Sequence, residues 1–405
     1  MDPYYLIVGL TAAMFLLYGA VSRKLDEGVV TAPMVCVAAG YGASLLGPST
    51  VPLALDGRVL TAAGELALAI LLFTDASGID RAALRRDWVL PVRLLGLGLP
   101  LTVVAGALLG AALFPELPWP WLGALALILA PTDAALGIAV LRNAAVPQRV
   151  RDALNVESGL NDGIALPPLL ALLAALAART AGSDEWLLDA AAELAVGAVL
   201  GTLVGRLAGP LLDAAWRRRW IDETYARLLT PGLALLAFVV AHALDKNGFV
   251  AAYFAGLTLA VSTPELRERL SEFGEADGTQ FSLFVFLLFG FAFVPAAAPH
   301  WDVAAVVYAL GSLTLVRMLP VWLCLAGSGL PSATKLFMGW SGPRGIASVL
   351  YVAIVVQQFG LPGHERVFAV VVLTVLASVL SHGVTAAPLS ALYARRDSGR
   401  RQPVD

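Results

Sequence analysis

The sequence predicts an all-α polytopic membrane protein, and its composition and hydropathy pattern carry that prediction. Of its 405 residues 59% are apolar and 14% are Asp, Glu, Lys or Arg, against roughly 45–50% and about 25% in ordinary soluble domains. The 38 glycines and 24 prolines fall inside the apolar runs, where membrane helices tolerate them. With 27 basic and 30 acidic side chains, the chain has no excess of positive charge for binding nucleic acid. A water-soluble globule is therefore excluded.

Thirteen apolar stretches are candidates for helices that cross a bilayer core of roughly 30 Å, for which about 20 apolar residues are needed. They cover residues 4–21, 29–47, 59–74, 88–114, 118–141, 152–178, 186–208, 224–244, 248–262, 279–299, 302–326, 333–357 and 365–391, and the ninth is short. No positively charged region precedes the first stretch, so we interpret it as a retained span rather than a cleaved signal peptide.

The basic residues in the loops support this count. Loops after odd-numbered spans contain 18 Lys and Arg residues, loops after even-numbered spans contain 4, and the other 5 lie within spans or at their margins. A missed or invented span would scramble this alternation, because cytoplasmic loops are enriched in Lys and Arg. The bias predicts a multi-pass protein of the cell membrane, with the N-terminus outside and the C-terminus in the cytoplasm.

Two helix-breaking motifs occur near the middle of spans 5 and 12. Span 5 contains Ala130-Pro131-Thr132-Asp133, and span 12 contains residues 339–345, Gly-Trp-Ser-Gly-Pro-Arg-Gly. Each proline removes a backbone donor and clashes with the preceding turn, so each helix should open there and expose partly charged ends. Asp133 and Arg344 would offset those partial charges where the two broken helices cross. Ordinary proline kinks, with the charges at the membrane interfaces, are the alternative.

The two breaks lie in corresponding spans of two six-span halves. The first half covers residues 1–178 and the second covers 224–391; span 7, at 186–208, joins them, and a short cytoplasmic tail, 392–405, follows. An odd number of spans allows the two halves to have inverted orientations, an arrangement that recurs in transporters. The predicted fold is therefore two inverted six-helix repeats with two crossing broken helices.

Span 6 contains the most polar stretch within any apolar run, residues 155–163. Ser158 and Asp162 are spaced i,i+4, as are Glu157 and Asn161, so these four side chains crowd one side of a helix. Ionisable groups at this depth are costly and by default mark an ion or proton path. A cytoplasmic loop is the alternative interpretation of this stretch.

The motifs in spans 5, 6 and 12 resemble those of the cation:proton antiporters of the first subfamily, the NhaP-type sodium/proton exchangers. The resembling segments are residues 131–133, 157–163 and 339–345, with weaker matches at 248–257 and 380–385. The resemblance covers nearly the whole chain. It implies a homodimeric secondary transporter that exchanges Na⁺, or else Li⁺ or K⁺, for protons, and neither an enzyme nor a protein with a bound cofactor or nucleotide.

The resemblance also implies roles for individual residues. Asp162 would bind the cation or the proton in alternation. Asn161 stands where electrogenic relatives have a second Asp, which implies an electroneutral 1:1 exchange. The cation would be bound by oxygen atoms of Asp162, Asp133, Ser158 and the Thr132 backbone.

The remaining charged residues within spans have structural or open roles. The resemblance implies that Glu157 and Arg344 form a buried ion pair between spans 6 and 12. Family members often have a Glu directly after Leu-Leu-Phe in span 3, whereas this chain has Thr and then Asp75. Asp75 either supplies a shorter acid or, as we favour, begins the cytoplasmic loop. The role of Glu65 is open, and Arg317 either holds a second buried carboxylate, pairs structurally or reaches the interface.

Two other function classes are compatible with intramembrane carboxylates. A cation channel would conduct without counter-transport, whereas one carboxylate for which a proton and a cation compete gives obligatory exchange. An intramembrane aspartyl hydrolase would need Asp133 and Asp162 to share a proton, and the chain has no Gly-x-Gly-Asp pattern. The sequence has no Walker-type phosphate loop either, which disfavours a nucleotide-driven pump.

Overall fold

The computed structural model describes residues 30–45, 57–79, 87–134, 136–141, 143–181 and 186–400, together with residues 9, 12, 13, 16, 18–20 and 84. Predicted span 1 lies largely outside the described residues. Every regular element in the described part of the chain is a helix.

Seventeen α-helices are labelled here in chain order. They are α1 Ala32–Ser44, α2 Gly57–Ser77, α3 Val89–Leu113, α4 Trp119–Ile128, α5 Ile138–Leu141, α6 Gln148–Ala181, α7 Trp186–Arg217, α8 Glu223–Ala226, α9 Leu229–His242, α10 Gly248–Thr258, α11 Pro264–Leu288, α12 Val294–Ala297, α13 Val303–Leu313, α14 Leu315–Cys324, α15 Ser332–Trp340, α16 Ile346–Phe359 and α17 Glu365–Arg400. Helix α3 includes a π-helical turn at Leu94–Gly98, and a second π-helical turn, Phe289–Phe293, joins α11 to α12.

Seven helical stretches in the described residues are long and apolar enough to cross a membrane. They are Val89–Leu113, Gln148–Ala178, Leu188–Arg217, Glu223–His242, Gln280–His300, Val303–Cys324 and Glu365–Arg395. The shorter helices α4, α10 and α16 are apolar as well and coincide with predicted spans 5, 9 and 12. The described chain is thus an all-α, multi-pass membrane fold, as the composition predicts.

The helix boundaries settle two questions that the sequence left open. Spans 5 and 12 are both interrupted: α4 ends at Ile128 and α5 begins at Ile138, while α15 ends at Trp340 and α16 begins at Ile346. Each gap contains the proline of its motif, in agreement with the loss of a backbone donor there. Residues 155–163 lie inside the continuous helix α6, so the alternative of a cytoplasmic loop is wrong for this stretch.

By packing, the chain divides into two compact units. The first unit consists of residues 1–55, 81–158 and 282–405, and the second consists of residues 56–80 and 159–281. An inverted repeat is a relation of topology rather than of packing, so this division leaves the predicted halves as a prediction.

The second unit contains a close contact between α7 and α10. Gly197, Gly201, Gly205 and Gly209 recur every four residues along one face of α7. A Cβ atom at Gly197 would lie 2.8 Å from the carbonyl oxygen of Asn247, and one at Gly209 would lie 2.5 Å from that of Ala260. Small residues at such an interface let two membrane helices approach backbone to backbone, which is how α7 and α10 associate here.

In the first unit, one apolar core supports both interrupted helices. Its buried members come from α3, α5, α6, α14, α15 and α17 and include Leu90, Leu94, Val140, Leu154, Val321, Met338 and Tyr393. The Thr334 hydroxyl on α15 lies 3.0 Å from the Tyr393 hydroxyl on α17, so these two polar groups pair within the core. The core therefore holds α15 and α5, which flank the two breaks, on a common support.

Candidate ion site

The two helix breaks contact each other within the first unit. The backbone N–H of Asp133, in the first break, donates to the carbonyl oxygen of Pro343, in the second, at 2.8 Å. The Arg344 guanidinium returns the contact: its Nη1 donates to the carbonyl oxygens of Ala130 at 2.5 Å and Pro131 at 3.0 Å. The broken segments of spans 5 and 12 thus lie against each other, as predicted.

Asp133 caps the start of α16. One carboxylate oxygen, Oδ2, accepts the backbone N–H of Ile346 at 2.9 Å, and the other, Oδ1, accepts that of Leu136 at 3.4 Å. A helix N-terminus carries unpaired N–H groups and a partial positive charge, so a carboxylate stabilises it. A Cβ atom at Gly345 would collide with Asp133 Oδ2, which explains why glycine occupies this position.

Arg344 supplies the opposite charge to the end of α4. The last carbonyls of a helix have no intrahelical partner and form its partly negative end. The Arg344 side chain, which is fully buried, binds two carbonyls just beyond Ile128, and the Ser348 hydroxyl donates to the Ile128 carbonyl oxygen at 2.7 Å. The backbone N–H of Arg344 donates to the hydroxyl of Ser378 on α17 at 2.7 Å, which fixes the second break to the last helix.

The prediction that Glu157 pairs with Arg344 is wrong, because its basic partner is Arg317. Glu157 Oε1 lies 2.6 Å from Nη1 of Arg317 on α14, and both side chains are 2% exposed. Arg344 is occupied by the carbonyls of the first break instead. Gly342 packs directly on Arg317, since a Cβ atom there would lie 2.6 Å from Arg317 Nε. Arg317, whose role the sequence left open, is therefore the residue that neutralises Glu157.

Two of the predicted oxygen ligands are brought together in the first unit. The hydroxyl oxygens of Thr132 and Ser158 lie 3.1 Å apart, so the first break is joined to α6 at this point. Thr132 is 3% exposed, and Ser158 is partly buried.

Asp162 and Asn161 follow one turn after Ser158 and Glu157 on α6 and are both buried. In the second unit, the ring of Tyr253 on α10 fills the space that a Cβ atom at Gly163 would occupy, and its hydroxyl donates to the Leu160 carbonyl oxygen at 3.4 Å. Tyr253 thus packs against the turn that carries Asp162. Tyr253 was not predicted as a site residue, although it lies within the weaker motif at residues 248–257.

Asp75 is part of helix α2, so the favoured interpretation as the start of a cytoplasmic loop is wrong. It lies in the last turn of α2, partly buried, and its carbonyl oxygen would lie 3.2 Å from a Cβ atom at Gly159 on α6. The end of α2 therefore packs against α6 three residues before Asp162. Glu65 is also partly buried on α2 but lies about 15 Å earlier along the helix, so the two acids of this helix do not share a turn.

The chemistry of these side chains suits a hard monovalent cation. Among the described residues, no group of three or more His, Cys, Asp or Glu side chains is placed to hold a metal ion. The candidate ligands are instead carboxylate, hydroxyl and carbonyl oxygens. Such oxygen ligands favour hard alkali cations over soft metal ions.

A family model described as "Sodium/hydrogen exchanger, transmembrane" matches residues 10–392. The chain belongs to this family. The match covers both helix breaks and the polar turn of α6, so it confirms the resemblance to NhaP-type antiporters that these motifs indicated.

Relatives within the family are named as cation:proton antiporters. The K⁺/H⁺ antiporter NhaP2 of Shewanella sp. (strain ANA-3) is 26% identical over 389 residues, which cover 95% of this chain and 66% of that protein. The Na⁺/H⁺ antiporter NhaS2 of Synechocystis sp. (strain ATCC 27184 / PCC 6803 / Kazusa) is 27% identical over 329 residues, which cover 78% and 59%. The chain thus spans less than two thirds of the length of each of these relatives. By name they are transporters rather than enzymes.

A solved structure shares the fold. The sodium proton antiporter MjNhaP1 from Methanocaldococcus jannaschii at pH 8 superposes with a TM-score of 0.77 and 20% identity, covering 96% of this chain and 99% of that one. At this identity the similarity bears on the fold alone, and it confirms a polytopic all-α membrane protein.

Proposed function

We propose that this protein is a secondary transporter that exchanges a monovalent cation for protons, with Asp162 binding one ion or the other in alternation. The observation that carries the proposal is the reciprocal compensation at the two helix breaks, where Asp133 caps α16 and Arg344 binds the carbonyls beyond α4. Membership of the exchanger family supports it.

Compensated breaks provide the oxygen atoms that an alkali cation needs inside a membrane. An unwound segment is tolerated at that depth only where its backbone is satisfied by protein or lines an ion path. Arg344 and Asp133 stabilise the open backbone around Thr132, whose hydroxyl lies beside that of Ser158. The proposed ligands are therefore the Thr132 backbone, Asp133, Ser158 and Asp162.

Coupling follows from the burial of Asp162, which is 6% exposed. A charged carboxylate is costly to bury, and binding either a proton or a monovalent cation neutralises it. If the transporter changes its access only in a neutralised state, each cation that leaves is replaced by a proton. Asn161 carries no charge, so we propose an electroneutral 1:1 exchange.

Na⁺ is the first candidate cation, and K⁺ and Li⁺ are the alternatives. The names of the relatives divide between K⁺ and Na⁺ antiporters, which keeps both ions in the proposal.

We also propose the complete topology as thirteen helices in two inverted repeats, residues 1–178 and 224–391, joined by span 7 at 186–208 and followed by the tail 392–405. The interruption of both span 5 and span 12 supports this arrangement. The N-terminus is proposed to lie outside, the C-terminus in the cytoplasm, and the assembly to be a homodimer in the cell membrane.

The experiment uses the purified protein in liposomes with a pH-sensitive dye inside. Na⁺, K⁺ and Li⁺ are added outside in turn, and the internal pH is recorded at zero potential and at an imposed membrane potential. The proposal expects one of these cations to drive proton exit at a rate and to a final gradient that the potential leaves unchanged. A final gradient that follows the potential contradicts the 1:1 stoichiometry, because each net charge is worth about 2.3 kcal/mol per 100 mV.

The same assay separates the alternative functions. Cation entry without proton exit would indicate a channel instead. The intramembrane hydrolase is disfavoured by Asp133 itself, because both of its carboxylate oxygens accept backbone N–H groups, as an ionised helix cap does and a proton-sharing catalytic acid does not.

A further inference from the structure

An arginine lies on the exposed surface of the membrane-spanning helix α7. Arg206 lies within the span Leu188–Arg217 of α7 and is exposed. Its neighbours on the surface are large apolar side chains: Leu203 is 52% exposed and Leu207 is 63% exposed. A charged side chain in such surroundings is costly unless it reaches the interface or an anion.

The described part of the chain offers Arg206 no carboxylate. None of its residues forms an ion pair with Arg206. Asp213, about 10 Å further along α7, is buried and already accepts the Ser262 backbone N–H and hydroxyl at 2.8 and 2.5 Å and the Thr263 backbone N–H at 3.0 Å. Glu193 lies about 20 Å away in the other direction along the helix. An anion for Arg206 must therefore come from outside this part of the chain.

The end of α7 shows where that anion would come from. Arg217, Arg218 and Arg219 are exposed there, and Trp220 is 72% exposed, with the Arg218 guanidinium 5.0 Å from its ring centroid. Basic residues beside an exposed tryptophan are typical of the level of the lipid headgroups. Arg206 precedes Arg217 by three helical turns, so the two lie on nearly the same face, about 16 Å apart along the axis.

We propose that Arg206 and the basic segment at residues 217–219 form a binding site for one anionic phospholipid. The phosphate of the lipid lies between Arg206, which extends toward the headgroup level, and Arg217, while the acyl chains cover Leu203 and Leu207. Lys and Arg side chains near helix ends extend in this way, and basic clusters at the membrane surface attract anionic lipids.

A second copy of the chain fits this surface less well. In a two-fold dimer with its axis along the membrane normal, equivalent positions of the two chains lie at equal depth. The face of α7 around Arg206 would then meet the same face, whose exposed members at that depth are leucines and Arg206 itself. Like charges would face each other with no carboxylate between them, whereas a mobile lipid phosphate supplies the missing negative charge.

Native mass spectrometry of the full-length protein in detergent tests this site. Phosphatidylglycerol and phosphatidylcholine with identical acyl chains are added in equal amounts, and the lipid adducts on the wild type, Arg206→Gln and Arg395→Gln are counted. Arg395→Gln removes the same charge from an exposed position near the end of α17 and serves as the control. We expect the wild type to retain phosphatidylglycerol in preference to phosphatidylcholine. In Arg206→Gln this preference should fall about fivefold, because one basic residue contributes about that factor to binding at an anionic surface.

Arg206→Lys, which keeps the charge, should restore the preference for phosphatidylglycerol, and the control should match the wild type. Equal retention of both lipids by the wild type, or unchanged retention by Arg206→Gln, overturns the proposal. A shift of Arg206→Gln from dimer to monomer in lipid-free detergent would assign the surface to a second copy. Loss of the lipid adducts on adding inorganic phosphate would assign the site to a free anion. None of these outcomes depends on transport activity, so the test is independent of the proposed exchange.

Discussion

Asp133 and Arg344 each cap the interrupted span of the other residue. Asp133 belongs to span 5 and caps a helix of span 12, whereas Arg344 belongs to span 12 and caps a helix of span 5. Asp133, in the first break, accepts the N–H of Ile346 at the start of α16, and Arg344, in the second break, donates to the Ala130 carbonyl beyond the end of α4. The exchange of charges across the breaks means that neither open segment is stabilised without the other. This reciprocity makes the breaks sensitive to single substitutions.

Removing the charge of Arg344 should destabilise the protein. Arg344→Gln loses the charge-assisted bonds to Ala130 and Pro131, and hydrogen bonds to charged groups contribute about 1.5–3 kcal/mol to the free energy of unfolding. We expect a clearly lower thermal unfolding temperature in detergent, together with loss of transport. Arg395→Gln, an exposed charge near the end of α17, is the control and should unfold like the wild type. An unchanged unfolding temperature for Arg344→Gln would mean that the bonds to the first break contribute nothing.

Gly345→Ala should displace the Asp133 carboxylate. The added Cβ collides with Asp133 Oδ2, so the cap on α16 must open or the second break must shift. We expect reduced transport and reduced thermal stability, measured in liposomes and in detergent. Gly42→Ala on α1 is the matched control, because a Cβ atom there meets nothing within 4 Å and alanine favours the helix. If both variants behave alike, the close contact at Gly345 has no energetic weight.

The buried pair of Glu157 and Arg317 should show strong coupling. Glu157→Gln leaves the guanidinium of Arg317 buried without its counter-charge, and removing one partner of such a pair costs about 3–5 kcal/mol. Arg317→Met combined with Glu157→Gln should recover much of that loss, so a double-mutant cycle on unfolding free energies should give a large coupling energy. The same cycle with Arg344 in place of Arg317 should give a smaller one. A larger coupling energy for Glu157 with Arg344 than with Arg317 would support the ion pair that the sequence predicted.

A pH-dependent contribution to stability is expected from Asp302, which lies between two membrane-spanning stretches. The backbone N–H of Ala305, followed by the Arg366 guanidinium, holds the pKa of the Asp302 carboxyl below its ordinary value. A lowered pKa in the folded state stabilises the protein above the ordinary pKa of about 4, and this stabilisation is lost as the pH falls through the lowered value. Because the side chain is 44% exposed, solvent screening keeps the effect small.

The measurement for Asp302 is the thermal unfolding temperature of the wild type and of Asp302→Asn as a function of pH. The wild type should be the more stable at neutral pH, and the two curves should converge below about pH 4. A constant difference between the curves down to strongly acidic pH would contradict the assigned cause.

Much of the site could be predicted from local sequence signals. Pro131 and Pro343 each remove a backbone donor and clash with the preceding turn, and the charged residues beside them, Asp133 and Arg344, are near enough in sequence to compensate the exposed ends. The spacing of Ser158 and Asp162 likewise needs only the helical period. These features require no knowledge of tertiary contacts, which is why the structure agrees with them.

The errors concern tertiary contacts. Glu157 could be paired with either buried arginine on sequence grounds, and only the position of α14, which brings Arg317 to it, decides the choice. Asp75 precedes polar residues that resemble the start of a loop, but it lies in the last turn of α2, which contacts Gly159 on α6. Ser378 and Tyr253 were missed because each acts through a neighbour that is distant in sequence.

The substitution Asp162→Asn tests whether the Asp162 carboxylate binds the cation and the proton. The purified variant is placed in liposomes beside the wild type and beside Asp189→Asn, which neutralises an exposed carboxylate near the start of α7. Internal pH is recorded after the activating cation is added outside. We predict that Asp189→Asn retains cation-driven proton exit and that Asp162→Asn, with unchanged thermal stability, loses it completely. Proton exit at the wild-type rate in Asp162→Asn would show that exchange does not pass through the Asp162 carboxylate.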